Sequence, residues 1–307
     1  MSRERSKGIV GIFILVTVLF FIFIVFAFYT VSQLKESSSL GEGLLDNSKN
    51  SPIAVISIEN EIMESKKYVE MLLAAEQEKG IKAIILRIDS PGGAVAPTQE
   101  IYEEVRRIDK KKPIYASFGT VAASGGYYIG AATRKIWANA GTLTGSIGVI
   151  MQMADLSELY KWAKYRPETI KAGRYKDIGN PARPMTEEER MFLTELLAGT
   201  HKQFMTDISA VRKDRLKKDI TELAQGQIFH GFEAKEVGLV DEVGSLWQAG
   251  RAIHKELKLK GEFSLRYLKP TKKKFSLSEF LQETEDAISF IKSKVETKTA
   301  PAYIFKL

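Results

Sequence analysis

Residues 121–128 read Val-Ala-Ala-Ser-Gly-Gly-Tyr-Tyr. Ser124 has small neighbours on both sides, follows a strand-like segment at 113–118, and opens a short helical stretch at 125–132. A hydroxyl at such a strand-to-helix elbow is approachable and lies beside a helix N-terminus, the position that suits an acyl-transfer nucleophile. Ser90 and Ser146 also stand in glycine-rich turns. Ser90 precedes Pro91-Gly92-Gly93, a tight turn in which the backbone matters more than the hydroxyl. Ser146 sits between Gly145 and Ile147 at the start of an expected strand over 147–151. A serine in a tight turn is more often structural than catalytic, so the residues alone leave Ser124 with both readings.

A serine nucleophile needs a base, and histidine is the usual one. The chain has 3 histidines. His201 falls on the flank of an apolar helical stripe, His230 in a Phe-His-Gly turn, and His254 among Lys and Glu on an expected exposed helix. None has a convincing carboxylate orienter in sequence. Lysine is the alternative. To accept a proton near pH 7 a lysine must fall from about 10.4 by about three, at ~4 kcal/mol, which requires a desolvated pocket. Lys176 stands in Gly173-Arg174-Tyr175-Lys176-Asp177-Ile178, after a strand-like 168–172. With 45 Lys+Arg in the chain, a solvated surface position is the default for any one of them. Gly92 and Gly93 follow an apolar strand, so their N–H groups, with that of Gly125, are candidate oxyanion donors; a plain turn is the alternative.

The rest of the composition narrows the chemistry. There are 0 cysteines, which excludes disulfides, thiolate metal sites and cysteine nucleophiles. Three histidines leave little for a multi-histidine metal site, and no metal or cofactor is expected. Neither the P-loop pattern nor Gly-x-Gly-x-x-Gly between strand and helix occurs. The net charge of +7 is modest, and its Lys cluster at 272–274 reads as a solvated face or a patch near anionic lipid rather than a nucleic-acid surface.

The elements that must position these residues alternate. Strands are predicted at 53–58, 83–88, 113–118, 135–138 and 147–151, with helices over 65–79 (Tyr68, Met71, Leu72 and Ala75 on one face) and around Ile101, Val105 and Ile108. The continuous apolar Ala83-Ile84-Ile85-Leu86 suits a parallel strand buried on both faces. A β-α-β order of this kind predicts a largely parallel sheet flanked by helices. Thr186 and Glu189 form a capping box for a long helix over 187–213, with Leu193, Leu197, Phe204 and Ile208 as its core stripe; a further helix fits 246–257.

Before this domain, Gly8 to Tyr29 is an uncharged apolar run of 22 residues. As a helix it would span about 33 Å, enough to cross a bilayer. Arg3, Arg5 and Lys7 precede it, which keeps the N-terminus in the cytoplasm and puts the remainder outside. A cleaved signal peptide is the alternative, but the run is long for one and no Ala-x-Ala site follows. The expected organisation is a cytoplasmic 1–7, a membrane anchor over 8–30, a flexible linker over 31–51, a catalytic domain over 52–265 and a basic, amphipathic tail over 266–307.

Four spaced motifs carry a resemblance: Asp89-Ser-Pro-Gly-Gly93, Ala122-Ala-Ser-Gly-Gly-Tyr-Tyr128, Thr144-Gly-Ser-Ile-Gly-Val149 and Gly173-Arg-Tyr-Lys-Asp177. With the later Gly231-Phe-Glu-Ala-Lys-Glu-Val-Gly-Leu-Val-Asp241, they resemble the signal peptide peptidase A family of membrane-bound serine peptidases over roughly 52–265. The resemblance implies a crotonase-like or Clp-protease-like α/β fold and a Ser–Lys dyad. Ser124 would be the nucleophile and Lys176, 52 positions later, the general base. Gly92 and Gly93 would help form the oxyanion hole. The implied substrates are cleaved signal peptides and similar apolar peptides. The implied setting is the bacterial cytoplasmic membrane, with the catalytic domain on the outer side. Short family members like this one are expected to form homo-oligomeric rings whose Ser and Lys come from neighbouring subunits. Tyr127, Tyr128 and Ile147 are expected to line an apolar pocket, Ser146 or Thr144 to orient the lysine, and the apolar 301–307 to occupy a neighbour's cleft. A catalytically silent scaffold of the same fold, an acyl-CoA enzyme, and a Ser/His hydrolase using His201 or His230 are the rivals.

Overall fold

The computed structural model describes residues 18–23, 26 and 51–270. Its strands are β1 (Ile53–Glu59), β2 (Ala83–Ser90), β3 (Ile114–Ala123), β4 (Ile136–Ala138), β5 (Leu143–Gly145), β6 (Ile228–His230), β7 (Glu242–Val243) and β8 (Arg266–Tyr267). Its helices are α1 (Lys66–Gln77), α2 (Val95–Asp109), α3 (Gly125–Ala131), α4 (Ser157–Trp162), α5 (Glu187–Arg212), α6 (Ile220–Leu223), α7 (Gly231–Glu236) and α8 (Leu246–Glu256). One 8-stranded sheet runs β6-β5-β3-β2-β1-β8, with β4 and β7 branching from β3. All pairings are parallel except β5 with β6.

The apolar runs account for the centre. Ile56, Leu86 and Ala116 stand abreast in register on β1, β2 and β3. On one face they pack with Leu72 and Ala75 of α1 and Ile101 and Val105 of α2. On the other face Val55, Ile85 and Tyr115 pack with Leu246, Ala249 and Ile253 of α8. A strand covered on both faces has no polar position to spare, which is why Ala83 to Leu86 is continuously apolar and wholly buried. Each such aliphatic side chain contributes about 1.5–3 kcal/mol by its removal from water. The predicted face of α1, Tyr68, Met71, Leu72 and Ala75, is the buried face.

Three predicted elements differ. The strand expected over 147–151 lies earlier, at Leu143–Gly145. Gly145 and Ser146 both take positive φ (83° and 48°), which breaks the ladder and turns the chain out of the sheet. Residues 168–172 form no strand; they are exposed, Ile170 by 94%, and have no neighbouring strand to supply hydrogen bonds. The capping box of α5 is present, with Glu189 N donating to Thr186 Oγ1 at 3.2 Å and Thr186 N donating to Glu189 Oε2 at 3.0 Å. Its apolar stripe is buried only in the second half, at Ile208 and partly at Phe204. Leu193 and Leu197 are half-buried, and Met191, Phe192 and Leu196 are exposed. A helix of 26 residues, about 39 Å long, outreaches the body it packs on.

Of the apolar 8–29, residues 18–23 and 26 are helical and exposed; the remainder of the expected anchor lies outside the described residues. Among the described residues no helix is long and apolar enough to cross a membrane. Most of the 31–51 linker and all of 271–307 also lie outside them. The first compact unit ends at Leu268, so β8, which pairs with β1, belongs to it.

Candidate active site

The elbow is built by an irregularity in β3. Its first half pairs with β4 (Ala116 opposite Ile136), and its last three residues pair with β5 (Ala123 opposite Gly145). Between them the register against β2 shifts from Ile88–Phe118 to Ser90–Ala122, two residues being added on β3. Asp89 stitches this bulge, its Oδ1 accepting from Val121 N at 3.0 Å. The extension carries the strand past its neighbours and delivers Ser124 at the C-terminal edge of a parallel sheet, where α/β folds place their ligands. Ser124 then sits at φ 51° and ψ −120°, a conformation that costs a residue with a Cβ about 1–3 kcal/mol. It is held there by Ser124 N donating to Gly145 O at 2.9 Å and Tyr128 N donating to Ser124 O at 2.9 Å. Among the described residues its half-buried hydroxyl makes no hydrogen bond.

The glycine turn after β2 lies against this elbow. Gly92 has φ 115°, and a Cβ on it would stand 2.9 Å from Ser124 Cβ. Gly93 bridges to Ile62, with Ile62 N donating to Gly92 O (2.9 Å) and Ala94 N donating to Ile62 O (2.9 Å). In extended backbone those two groups face one way, so the Gly93 N–H faces the other. Gly93 N lies 3.4 Å from the point that a Cβ on Gly125 would occupy. Gly125 is the first residue of α3, where backbone N–H groups have no partner in the helix. Of the three candidate donors, Gly93 and Gly125 therefore keep their N–H groups open. Gly92 N is engaged, donating to Ser90 Oγ at 3.1 Å. Ser90 is structural, but through the hydroxyl rather than the backbone expected to matter more: it is wholly buried, and its Oγ donates to Asn60 O at 2.5 Å while accepting from Gly92 N.

A cavity of about 130 Å³ opens beside Ser124 Oγ, lined by Gly93, Gly125, Val95, Thr98, Tyr128, Val149, Ile150, Thr200 and Phe204 among others, none of them charged. Of the apolar residues expected there, Tyr128 lines it. Tyr127 and Ile147 do not; both are wholly buried in the core, Tyr127 donating its hydroxyl to Leu239 O at 3.1 Å. The helix α3 turns these two adjacent tyrosines about 100° apart, one inward and one toward the cavity. Val149, Ile150, Thr200 and Phe204 were not singled out as site residues. They come from a loop and from α5, and no local pattern links them to Ser124.

The structure does not bring Lys176 to Ser124 within one chain. Lys176 is exposed on a loop before α5 and does not line the cavity. That loop is clamped to the start of α5. Arg183 bonds both oxygens of Glu189 (2.9 and 2.6 Å) and one of Asp177 (3.1 Å). Tyr175 donates to Glu188 Oε1 at 2.8 Å and stacks on Phe192 at 4.7 Å. The Arg183 guanidinium holds the Glu189 and Asp177 carboxyls down to about 2. Thr144 Oγ1 donates to Ala122 O at 2.6 Å, which makes it a brace of β5 against β3. Ser146 lies one residue past that brace at φ 48°, its N donating to Gln227 O at 2.8 Å, and it does not line the cavity. His201, His230 and His254 do not line it either. His254, expected on an exposed face, is half-buried edge-on to Phe263, and His230 caps α7 and stacks on Phe232.

A half-buried serine on a strained strand-to-helix elbow, with two open N–H groups beside it at the C-terminal edge of a largely parallel sheet, is a geometry that can support acyl transfer. The chain matches Peptidase family S49 over residues 106–260, just over half of its length, and the Clp protease family over 47–152. It belongs to peptidase family S49. It is 40% identical over 181 residues to a candidate protease from Synechocystis sp., covering 59% of this chain and 65% of the relative. It is 34% identical over 207 residues to a candidate signal peptide peptidase SppA from Enterococcus faecium, covering 67% of this chain and 60% of the relative. To the chloroplastic serine protease SPPA of Arabidopsis thaliana it is 37% identical over 186 residues, 60% of this chain and 27% of that one. The matches thus span less than two thirds of these relatives' own lengths. A solved structure of a mutant membrane-bound stomatin-specific protease overlaps with a TM-score of 0.47 and 18% identity, covering 73% of this chain and 100% of that chain.

Proposed function

We propose that this chain is a membrane-anchored serine endopeptidase that hydrolyses apolar peptides, cleaved signal peptides among them, with Ser124 as nucleophile and Lys176 as general base. The observation that carries the proposal is the conformation of Ser124. A non-glycine residue at φ 51° and ψ −120°, lining an uncharged cavity beside the open Gly93 and Gly125 N–H groups, stores strain that a purely structural serine has no use for. Membership of family S49 and the names of the relatives support a peptidase. The candidate peptidase of Enterococcus faecium supports signal peptides as the substrate class.

In the proposed reaction Ser124 Oγ attacks the scissile carbonyl carbon and its proton passes to an unprotonated Lys176 Nζ. The carbonyl oxygen becomes an oxyanion held by Gly93 N–H and Gly125 N–H. The lysine returns the proton to the leaving amine, which leaves an acyl-enzyme. Water then attacks the ester with the same base, releasing the acid and restoring Ser124. Because Lys176 is exposed and away from the cavity of its own chain, the proposal assigns it to the Ser124 of a neighbouring copy in a ring-shaped homo-oligomer. Trp162 and Ile170, exposed by 81% and 94%, lie on the segment that leads into that loop and supply apolar surface for such contact. Docking would also remove the lysine from water, as a base role requires. The N-terminal apolar run would anchor the ring to the bacterial cytoplasmic membrane with its entrance near the bilayer that holds its substrates.

The test is hydrolysis of casein or a fluorogenic apolar peptide by the full chain, with Ser124→Ala and Lys176→Ala alongside. Turnover in the wild type and its loss in both variants is the expected result. Turnover retained by Ser124→Ala would remove the nucleophile. An inert wild type that also resists fluorophosphonate labelling would favour a silent scaffold.

A further inference from the structure

Tyr128 and Phe204 line the cavity beside Ser124. Tyr128 is one helical turn beyond Ser124, its N donating to Ser124 O, so its ring shares the cavity wall with the serine. The ring is fixed on three sides. It stacks on Tyr102 at 4.5 Å with an interplanar angle of 19°, and meets Phe204 edge-on at 5.0 Å and 88°. Its hydroxyl donates to Asp207 Oδ2 at 2.5 Å. The other carboxylate oxygen of Asp207 accepts from Gln203 Nε2 at 2.8 Å, and the Asp207 backbone O accepts from Tyr102 OH at 3.0 Å. One residue of α5 therefore gathers donors from α2, from α3 and from its own helix.

Packing alone gives no reason for a carboxylate here. An aliphatic residue would cover two aromatic rings without desolvating a charge. What a carboxylate adds is direction: a short, charge-assisted bond admits one orientation of the phenol and therefore one χ1 of Tyr128. Burial and the adjacent Asp207 push the Tyr128 phenol up, so the hydroxyl remains a donor under any working condition. The other walls are consistent with a shape-reading site. Thr98 turns its hydroxyl back to its own helix (Val95 O, 2.7 Å) and its methyl toward Gly125, and Val95, Val149 and Ile150 add aliphatic surface. A space of about 130 Å³ is close to one that holds a benzene ring, so a leucine, methionine or phenylalanine side chain matches it better than an indole.

We propose that Tyr128 sets the size of the substrate side chain accepted next to the scissile bond, and that Asp207 is the positioning residue that locks it. The inference rests on the peptidase reading above. It is tested with the full chain on peptides that differ only in that side chain (Ala, Leu, Phe, Trp), for wild type, Tyr128→Phe, Asp207→Ala and the double variant. The rate at which a small fluorophosphonate labels Ser124 is recorded in parallel. Either single change should lower the preference for Leu over Trp by about 10-fold, chiefly through KM, with labelling rates little altered. The double variant should lose no more preference than the singles, because both changes open one lock. Tyr128→Phe deletes a single oxygen, so it reports even where Asp207→Ala fails to fold. Unchanged side-chain preference in Tyr128→Phe with labelling intact would overturn the lock. Absence of both labelling and turnover in wild type would overturn the peptidase reading itself.

Discussion

At Ser124 two demands pull against each other. The elbow exposes the hydroxyl only because the backbone accepts a positive φ, and that conformation opposes folding by about 1–3 kcal/mol. Replacing Ser124 by Gly removes the steric part of this cost and adds chain entropy of about 0.5–1 kcal/mol to the unfolded state. Ser124→Gly should therefore abolish turnover and raise stability, by about 1 kcal/mol, in urea unfolding; a loss of stability would mean that the elbow is not strained. Gly93 is the opposite case. A Cβ there would lie 2.2 Å from Ile62 O, a backbone atom that cannot yield without breaking the bridge to Gly93. Gly93→Ala should cost about 2 kcal/mol or more in the same measurement and eliminate turnover by moving the N–H that faces the cavity.

The element that links the parts of the proposed machinery is α5. Its first turn, through Glu188 and Glu189, holds the loop bearing Lys176; its last turns, through Phe204 and Asp207, press on the elbow helix. The capping box at its start should make Thr186→Ala cost about 1 kcal/mol. The ion pairs give a pH signature with a definite sign. Asp177 and Glu189 are held to about 2, below the ordinary carboxylate values near 4, because Arg183 bonds their charged forms. Groups lowered in this way stabilise the fold above the ordinary values, and the benefit disappears as pH falls toward 2. The stability difference between wild type and Arg183→Ala should be full at pH 6 and shrink steeply between pH 4 and pH 2 in denaturant titrations at each pH. A difference that does not shrink over that range would show that Arg183 acts through packing instead.

For the whole molecule the main prediction concerns assembly. If neighbouring copies complete each other's sites, inactive Ser124→Ala and inactive Lys176→Ala chains should regain part of the activity when mixed into common oligomers. Verified mixed oligomers without recovered turnover would exclude a shared site. The exposed apolar residues near Lys176 should matter to the same process. Trp162→Glu with Ile170→Glu should lower the assembled fraction in sedimentation velocity and lower turnover with it, while the unfolding midpoint of the single domain moves little.

Periodicity was enough to place β1, β2, α1, α2 and the capping box of α5, because each of these is dictated by which residues must leave water and by local backbone bonds. The glycines at 92, 93 and 125 and the small residues around Ser124 marked the elbow for the same reason: only such residues tolerate that backbone and that closeness. The engagement of Gly92 N by Ser90 is a local turn whose signal, a serine two residues before a glycine, was present but not used. The two-residue bulge in β3 and the cavity shared by Val149, Phe204 and Tyr128 were not legible in the chain. They depend on register and on residues up to 111 positions apart, from Gly93 to Phe204, which no local pattern encodes. Nor could helical spacing tell that α5 would be covered along only half its length, since an apolar stripe specifies a face to be buried and not what buries it.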